Sequence, residues 1–173
     1  MSLFPQAMGP VPEETARIAR AANPRGTLAM WLRDEVGGIY SDEDFRDLYP
    51  ERGQPALAPW RLALVTLLQY SDDLTDRQAA EAVRTRLDWK YLLGLELTDP
   101  GFDASVLSEF RQRLLAQGAE ERLLDKLLVV CRERSWLKAG GKMRTDATHV
   151  RAAVRSLHHL ETVGETLRAA LEE

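Results

Sequence analysis

The sequence predicts a mainly α-helical bundle followed by a short β-hairpin and a final helix. Before residue 139, apolar residues recur at the i, i+3, i+4 spacing of amphipathic helices, between capping residues, prolines and glycines. After Gly140-Gly141 the pattern changes, because Thr145, Thr148 and Val150 supply the β-branched side chains that favour a strand. We expect three parts: a flexible leader over residues 1–10, a helical domain over 11–138 and a separate segment over 139–173.

The first predicted helices have local start and stop signals. Pro12-Glu13-Glu14 opens a helix through Ala22, and Asn23-Pro24 ends it because a residue before proline avoids the helical region. Thr27 can cap the next helix. The run Ser41 to Asp44 resembles a capping box and predicts a third helix, ending before Pro50.

The middle of the chain predicts a helix-turn-helix-like element. Pro59 begins the most apolar helix, whose hydrophobic residues cover nearly its whole circumference, so we place it at the centre of the bundle. The box Thr75 to Gln78 opens a second helix, and a turn or short helix follows Asp88 and ends at Gly94. Two more amphipathic helices complete the bundle and place Cys131 in its core.

Composition excludes several classes of protein. The chain has no run of about 18 apolar residues, so no membrane span is predicted. Its first residues lack a charged start followed by an apolar run, and therefore do not resemble a signal peptide. The single cysteine excludes an internal disulfide and suits a reducing compartment. We therefore expect a cytoplasmic protein without a membrane partner.

Basic residues are concentrated in two places, although the net charge of the chain is −4. Residues 77–90 carry four basic side chains against two acidic ones, and residues 132–155 carry seven against two. A helix-turn-helix uses such residues on DNA phosphates, whereas a solvated helical face has the same composition. The second run suits a phosphodiester substrate, but also a linker kept soluble by its charge. The residue pattern leaves both alternatives open.

Asp146 lies in the middle of the predicted strand, where a carboxylate is costly to bury unless it is paired or binds a metal ion. The run from Arg144 to Val150, together with residues 152–155 and 160–171, resembles the start of the catalytic domain of DDE insertion-sequence transposases, most closely those of the IS5/IS1182 kind. Three earlier runs, at residues 74–82, 92–95 and 108–111, resemble the helical domain that precedes it in that family.

The resemblance implies that residues 139–173 begin a ribonuclease-H-like domain and that Asp146 is the first of its three acidic catalytic residues. Asp146 would then also be a ligand of Mg²⁺ or Mn²⁺ in the complete enzyme. The family's second Asp and its Glu are expected beyond Glu173, so we expect the chain by itself to be inert in strand cleavage. A decayed remnant, a first frame joined to a second by frameshifting, and a deliberate fragment all agree with this expectation.

The resemblance also implies a partner, the double-stranded DNA of the transposon's terminal repeats. A second copy of the chain and the full-length transposase are further candidate partners. The candidate DNA contacts are four residues of the first basic region, one residue of the run 108–111 and three residues of the second basic region: Arg77, Arg84, Arg86, Lys90, Arg111, Lys142, Arg144 and Arg151. Two alternatives remain. One is a non-enzymatic DNA-binding regulator or inhibitor of transposition, and the other is a helical protein-interaction module.

Overall fold

The computed structural model describes residues 2–134, which are mainly helical as predicted. The seven α-helices of this part are α1 (Glu13–Ala22), α2 (Leu28–Trp31), α3 (Pro59–Ser71), α4 (Asp76–Thr85), α5 (Leu87–Leu93), α6 (Ser105–Ala116) and α7 (Glu121–Glu133). A π-helical turn, Leu32–Val36, continues α2, and a 3-10 helix spans Asp42–Leu48. The predicted hairpin, final helix and ribonuclease-H-like segment lie outside the described residues.

Most of the local signals act as the sequence predicts. The hydroxyl of Thr27 caps α2, and Gly94 ends α5 in the left-handed conformation. The box at Ser41 forms as well, but it opens a 3-10 helix and not an α-helix. Its side-chain partner is Asp44, which accepts a hydrogen bond from the Ser41 backbone N–H.

Two helices form the centre of the bundle. The helix α3 is buried along most of its length, as its apolar composition predicts, and packs against the 3-10 helix, α4 and α6. The shorter α5 is buried from Asp88 to Leu93 and packs against α1, α2 and α4. Its C-terminal carbonyls are capped by cations, because Arg33 donates to Leu92 O at 3.1 Å and Arg61 donates to Leu93 O at 3.2 Å.

The residues before α1 contact the bundle at several points. Ser2 exchanges backbone hydrogen bonds with Gln54 and Ala56, and these bonds accompany an isolated parallel bridge to Pro55. The backbone N–H of Gln6 donates to the carboxylate of Asp42 at 2.8 Å. The N-terminal residues therefore pack beside the start of α3, because Asp42 lies there.

The helix α7 is held by polar contacts and by its apolar side. The hydroxyl of Tyr40 donates to Leu123 O at 2.7 Å, and Arg122 forms a two-bond ion pair with Asp47. Cys131 is buried in the core, as the helical pattern predicts. Across residues 2–134, none of the helices is both long enough and apolar enough to span a bilayer.

Candidate nucleic-acid interface

Helices α3 and α4 are joined by a four-residue turn, Asp72 to Thr75. Within it, Asp73 adopts a left-handed φ of 51°, which aspartate tolerates better than most residues. Gln69 forms two hydrogen bonds with Leu74 of the turn. The Gln69 carbonyl accepts from Leu74 N at 2.9 Å, and the Gln69 side-chain amide donates to Leu74 O at 3.0 Å. Turns of this length join the two helices of a helix-turn-helix and also those of an ordinary αα-hairpin.

The two helices form a three-helix unit with α6, because α3, α4 and α6 pack against one another pairwise. The second helix begins at the predicted capping box. Thr75 Oγ1 accepts from Gln78 N at 3.4 Å, and Gln78 Oε1 accepts from Thr75 N at 2.9 Å. The reciprocal bonds satisfy two backbone donors and fix the point at which α4 starts.

The outer face of α4 is polar and exposed, and we call it the α4 face. It consists of Arg77, Gln78, Glu81, Arg84 and Thr85. At about 100° per residue these five positions occupy roughly a third of the helix circumference. The opposite side of α4 consists of small apolar residues and is buried against the bundle. One continuous polar strip is therefore available to a partner.

The charged side chains of the α4 face are exposed, and their contacts with other protein groups are weak. Arg84 Nη2 donates to both carboxylate oxygens of Glu81, at 2.8 and 2.7 Å, and both side chains are more than half exposed. Exposed pairs of this kind contribute little stability, so replacing the carboxylate by another anion costs little. Arg77 is exposed as well, and lies near Asp103. The pKa of Asp103 is lowered chiefly by hydrogen bonds from Ser105, with a smaller contribution from Arg77.

Two other predicted contacts, Arg111 and Arg86, are engaged in ion pairs at the ends of α4. Arg111 Nη2 donates to Asp76 Oδ2 at 2.6 Å, and this bond is the largest cause of the lowered pKa of Asp76. Arg86 bonds to both carboxylate oxygens of Asp88, at 3.0 and 2.7 Å, and also to Asp72.

Lys90 is buried inside the bundle. Its ammonium donates to Asp99 O at 2.7 Å and to Glu96 O at 3.3 Å, and desolvation lowers its pKa. Lys90 is buried because it lies on α5, which is buried on all sides. The apolar residues around Lys90, from Trp89 to Leu95, were a signal of this burial that charge counting did not use.

Charge counting also missed two members of the α4 face, because Gln78 and Thr85 are uncharged. Their spacing from Arg77 and Arg84 placed all four on one side of a helix. The remaining predicted site residues, Lys142, Arg144, Asp146 and Arg151, lie outside the described residues. Within residues 2–134, no group of three His, Cys, Asp or Glu side chains is arranged to hold a metal ion.

Comparison with known proteins identifies a family for more than half of the chain. The model of a family described as a transposase domain, DUF772, matches residues 19–113. The matched region is more than half of the 173-residue chain and contains the whole α3–turn–α4 unit. No curated protein and no solved structure matches.

Proposed function

The chain belongs to the DUF772 family of transposase domains, and from this premise we propose that it binds double-stranded transposon-end DNA through the α4 face. The observation that carries the proposal is the polar strip itself. It lies on α4, the helix after the short turn. We propose that α3, the turn and α4 act as a helix-turn-helix, in which the second helix enters the major groove.

The side chains of the α4 face suit the edges of base pairs. Arginine pairs with guanine through two hydrogen bonds, and threonine bonds to several bases. Arg77, Arg84 and Thr85 are the proposed contacts of these kinds. Gln78 can approach adenine only by giving up its bond in the capping box, since its Oε1 accepts from Thr75. Glu81 competes with DNA for Arg84, so a base or phosphate must displace its carboxylate.

The burial of α5 supports the choice of α4 as the proposed reading helix. The sequence left room for the short helix after Asp88 to take part, but the residues from Asp88 to Leu93 are all buried. A helix that enters the groove must expose a face to it. In this proposal α4 is therefore the reading helix, and α5 is its support within the core.

A second part of the proposal is supported by the sequence resemblance of residues 144–171. We propose that the chain is the N-terminal part of a DDE transposase of the IS5/IS1182 kind. Asp146 would be its first catalytic carboxylate, and Lys142, Arg144 and Arg151 would contact the DNA backbone nearby. Mg²⁺ or Mn²⁺ bound by three such carboxylates activates water and stabilises charge at the reacting phosphate. A single carboxylate is not enough for this chemistry, so two further acidic residues are required.

Binding measurements test the first part. A duplex enriched by the protein from a random library is compared with a scrambled duplex of the same composition, across a salt series. We expect preference for the enriched duplex and an affinity that falls steeply with salt. An enriched duplex bound no better than the scrambled one would refute base reading. Absence of binding at low salt would favour the protein-interaction module.

The chain offers a matched control for the α4 face. Arg17 pairs with Glu14 on α1 with the same three-residue spacing and similar exposure as Arg84 and Glu81. We expect Arg84→Ala to weaken binding to the enriched duplex about tenfold, and Arg17→Ala to leave it unchanged. Equal effects of the two substitutions would mean that the α4 face does not contact DNA.

A further inference from the structure

We propose that Arg111 and Arg86 are positioning residues, which hold the two ends of α4 in the orientation that DNA binding needs and do not themselves contact DNA. The proposal rests on the proposed function, since it concerns the same helix. It assigns to these two arginines a role different from that of Arg84, although all three are basic residues around one helix.

The first residue of α4 is tied to both neighbouring helices. Asp76 Oδ2 accepts from Arg111 on α6 at 2.6 Å, and Asp76 Oδ1 accepts from Gln69 on α3 at 2.8 Å. The same Gln69 amide donates to Leu74 O in the turn. The side chains of Asp76 and Arg111 are 28% and 33% exposed, so the pair lies partly between the helices and not on the open surface. The N-terminal end of α4 is therefore fixed to the three-helix unit.

The other end of α4 is held by Arg86, which follows the helix directly. Its guanidinium bonds to Asp72, in the turn before α4, and to Asp88, at the start of α5. The side chain of Asp88 is only 7% exposed. The guanidinium also lies 5.1 Å from the centre of the Trp89 ring. Arg86 thus connects Asp72, before α4, with Asp88, after α4, and fixes the C-terminal end of the helix relative to both.

The charges around these arginines argue against a phosphate contact. Arg86 bonds to two aspartates, so its immediate surroundings are net negative and repel a phosphate. Arg111 is neutralised by Asp76. A phosphate would have to displace a partly or largely buried carboxylate in each case. Arg84 differs, because the carboxylate of its partner Glu81 is exposed.

The substitution Asp76→Asn distinguishes a DNA-contacting Arg111 from a positioning Arg111, because the two roles predict opposite changes in DNA affinity. If Arg111 contacts DNA, Asp76→Asn frees the guanidinium, removes a negative charge and raises affinity. If Arg111 positions α4, the same substitution breaks the tie and lowers affinity for the enriched duplex despite the more favourable charge. We expect the second result, a loss of about three- to tenfold, with little change on the scrambled duplex.

The salt dependence gives an independent readout. Replacing a phosphate contact reduces the slope of log affinity against log salt by about 1 and weakens all sequences equally. We expect Arg111→Met and Arg86→Met to leave that slope unchanged and to reduce the ratio of enriched to scrambled binding. The double variant Asp76→Asn with Arg111→Met should lose no more than either single variant. All measurements are made well below the unfolding midpoint of each variant, so a loss of fold cannot imitate the result.

A higher affinity of Asp76→Asn, or a reduced salt slope in the methionine variants, would overturn the positioning role and leave the proposed function in place. An unmodified protein that fails to prefer its enriched duplex would overturn both proposals. Lower affinity of Asp76→Asn at an unchanged salt slope supports the positioning role.

Discussion

The start of the central helix α3 depends on a side chain from another element. Its own N-cap residue, Ala58, offers no side chain to the free backbone donors. Asp42 of the 3-10 helix takes that place, since its Oδ1 accepts from Trp60 N at 3.1 Å while its Oδ2 accepts from Gln6 N. The Asp42 side chain is therefore a cap supplied from 18 residues away.

Replacing Asp42 with alanine removes both acceptors. Loss of the cap costs about 1 kcal/mol, and a buried donor left without a partner adds about 1–3 kcal/mol. We expect the free energy of unfolding to fall by about 3 kcal/mol in total, which lowers the thermal midpoint by about 10 °C in a domain of this size. Urea unfolding followed by far-ultraviolet circular dichroism measures the loss directly.

The substitution Asp42→Asn keeps a hydrogen-bond acceptor at position 42 but removes its negative charge. Desolvation raises the pKa of Asp42 above its ordinary value even though two backbone donors oppose the shift, so the charge is poorly accommodated where it lies. Asparagine keeps one oxygen for Trp60, and we expect it to cost only about 1 kcal/mol. Glu43→Ala is the control, since Glu43 is exposed in the same 3-10 helix and its loss should stay within about 0.5 kcal/mol. An alanine variant at position 42 that loses less than about 1 kcal/mol would refute the remote cap.

Three other predictions concern stability. Because Arg111 lowers the pKa of Asp76 in the folded protein, the ion pair stabilises the fold at pH values above the ordinary aspartate pKa of about 4. The stabilisation is lost as the pH falls through the lowered pKa of Asp76. The difference in unfolding free energy between the unmodified protein and Arg111→Met should therefore shrink in acid, and a constant difference would contradict this prediction. Gly101→Ala should cost about 1–2 kcal/mol, because φ is +72°, where a side chain is strained although the new methyl makes only ordinary contacts. Gly9→Ala, where φ is not positive and the space around the residue is open, should cost little in the same urea measurement. Tyr40→Phe removes a buried hydrogen bond to a carbonyl of α7 and should cost about 0.5–1.5 kcal/mol, and an unchanged urea midpoint would show that this bond does not stabilise the packing of α7.

Local signals determined where most helices begin and end. The boxes at Ser41 and Thr75, the cap at Thr27 and the glycine at position 94 act within one or two turns of chain, so the sequence contains the whole interaction. The centre of the bundle was predictable for α3 because its apolar residues cover the helix on all sides. The α4 face follows from the spacing of residues on a helix, once polar as well as basic side chains are considered.

Tertiary packing decided how the charged residues are used. The sequence alone shows Arg84, Arg86, Lys90 and Arg111 as four basic residues in one neighbourhood. The fold exposes the first, pairs the second and fourth with carboxylates from other elements, and buries the third against loop carbonyls. Asp88 is a local partner of Arg86, but Asp72 is 14 residues from Arg86 and Asp76 is 35 residues from Arg111, so these two contacts form only when the helices pack. The sequence therefore determined the family, the helices and the existence of a basic region, while only the tertiary structure decided which of its cations a partner can reach.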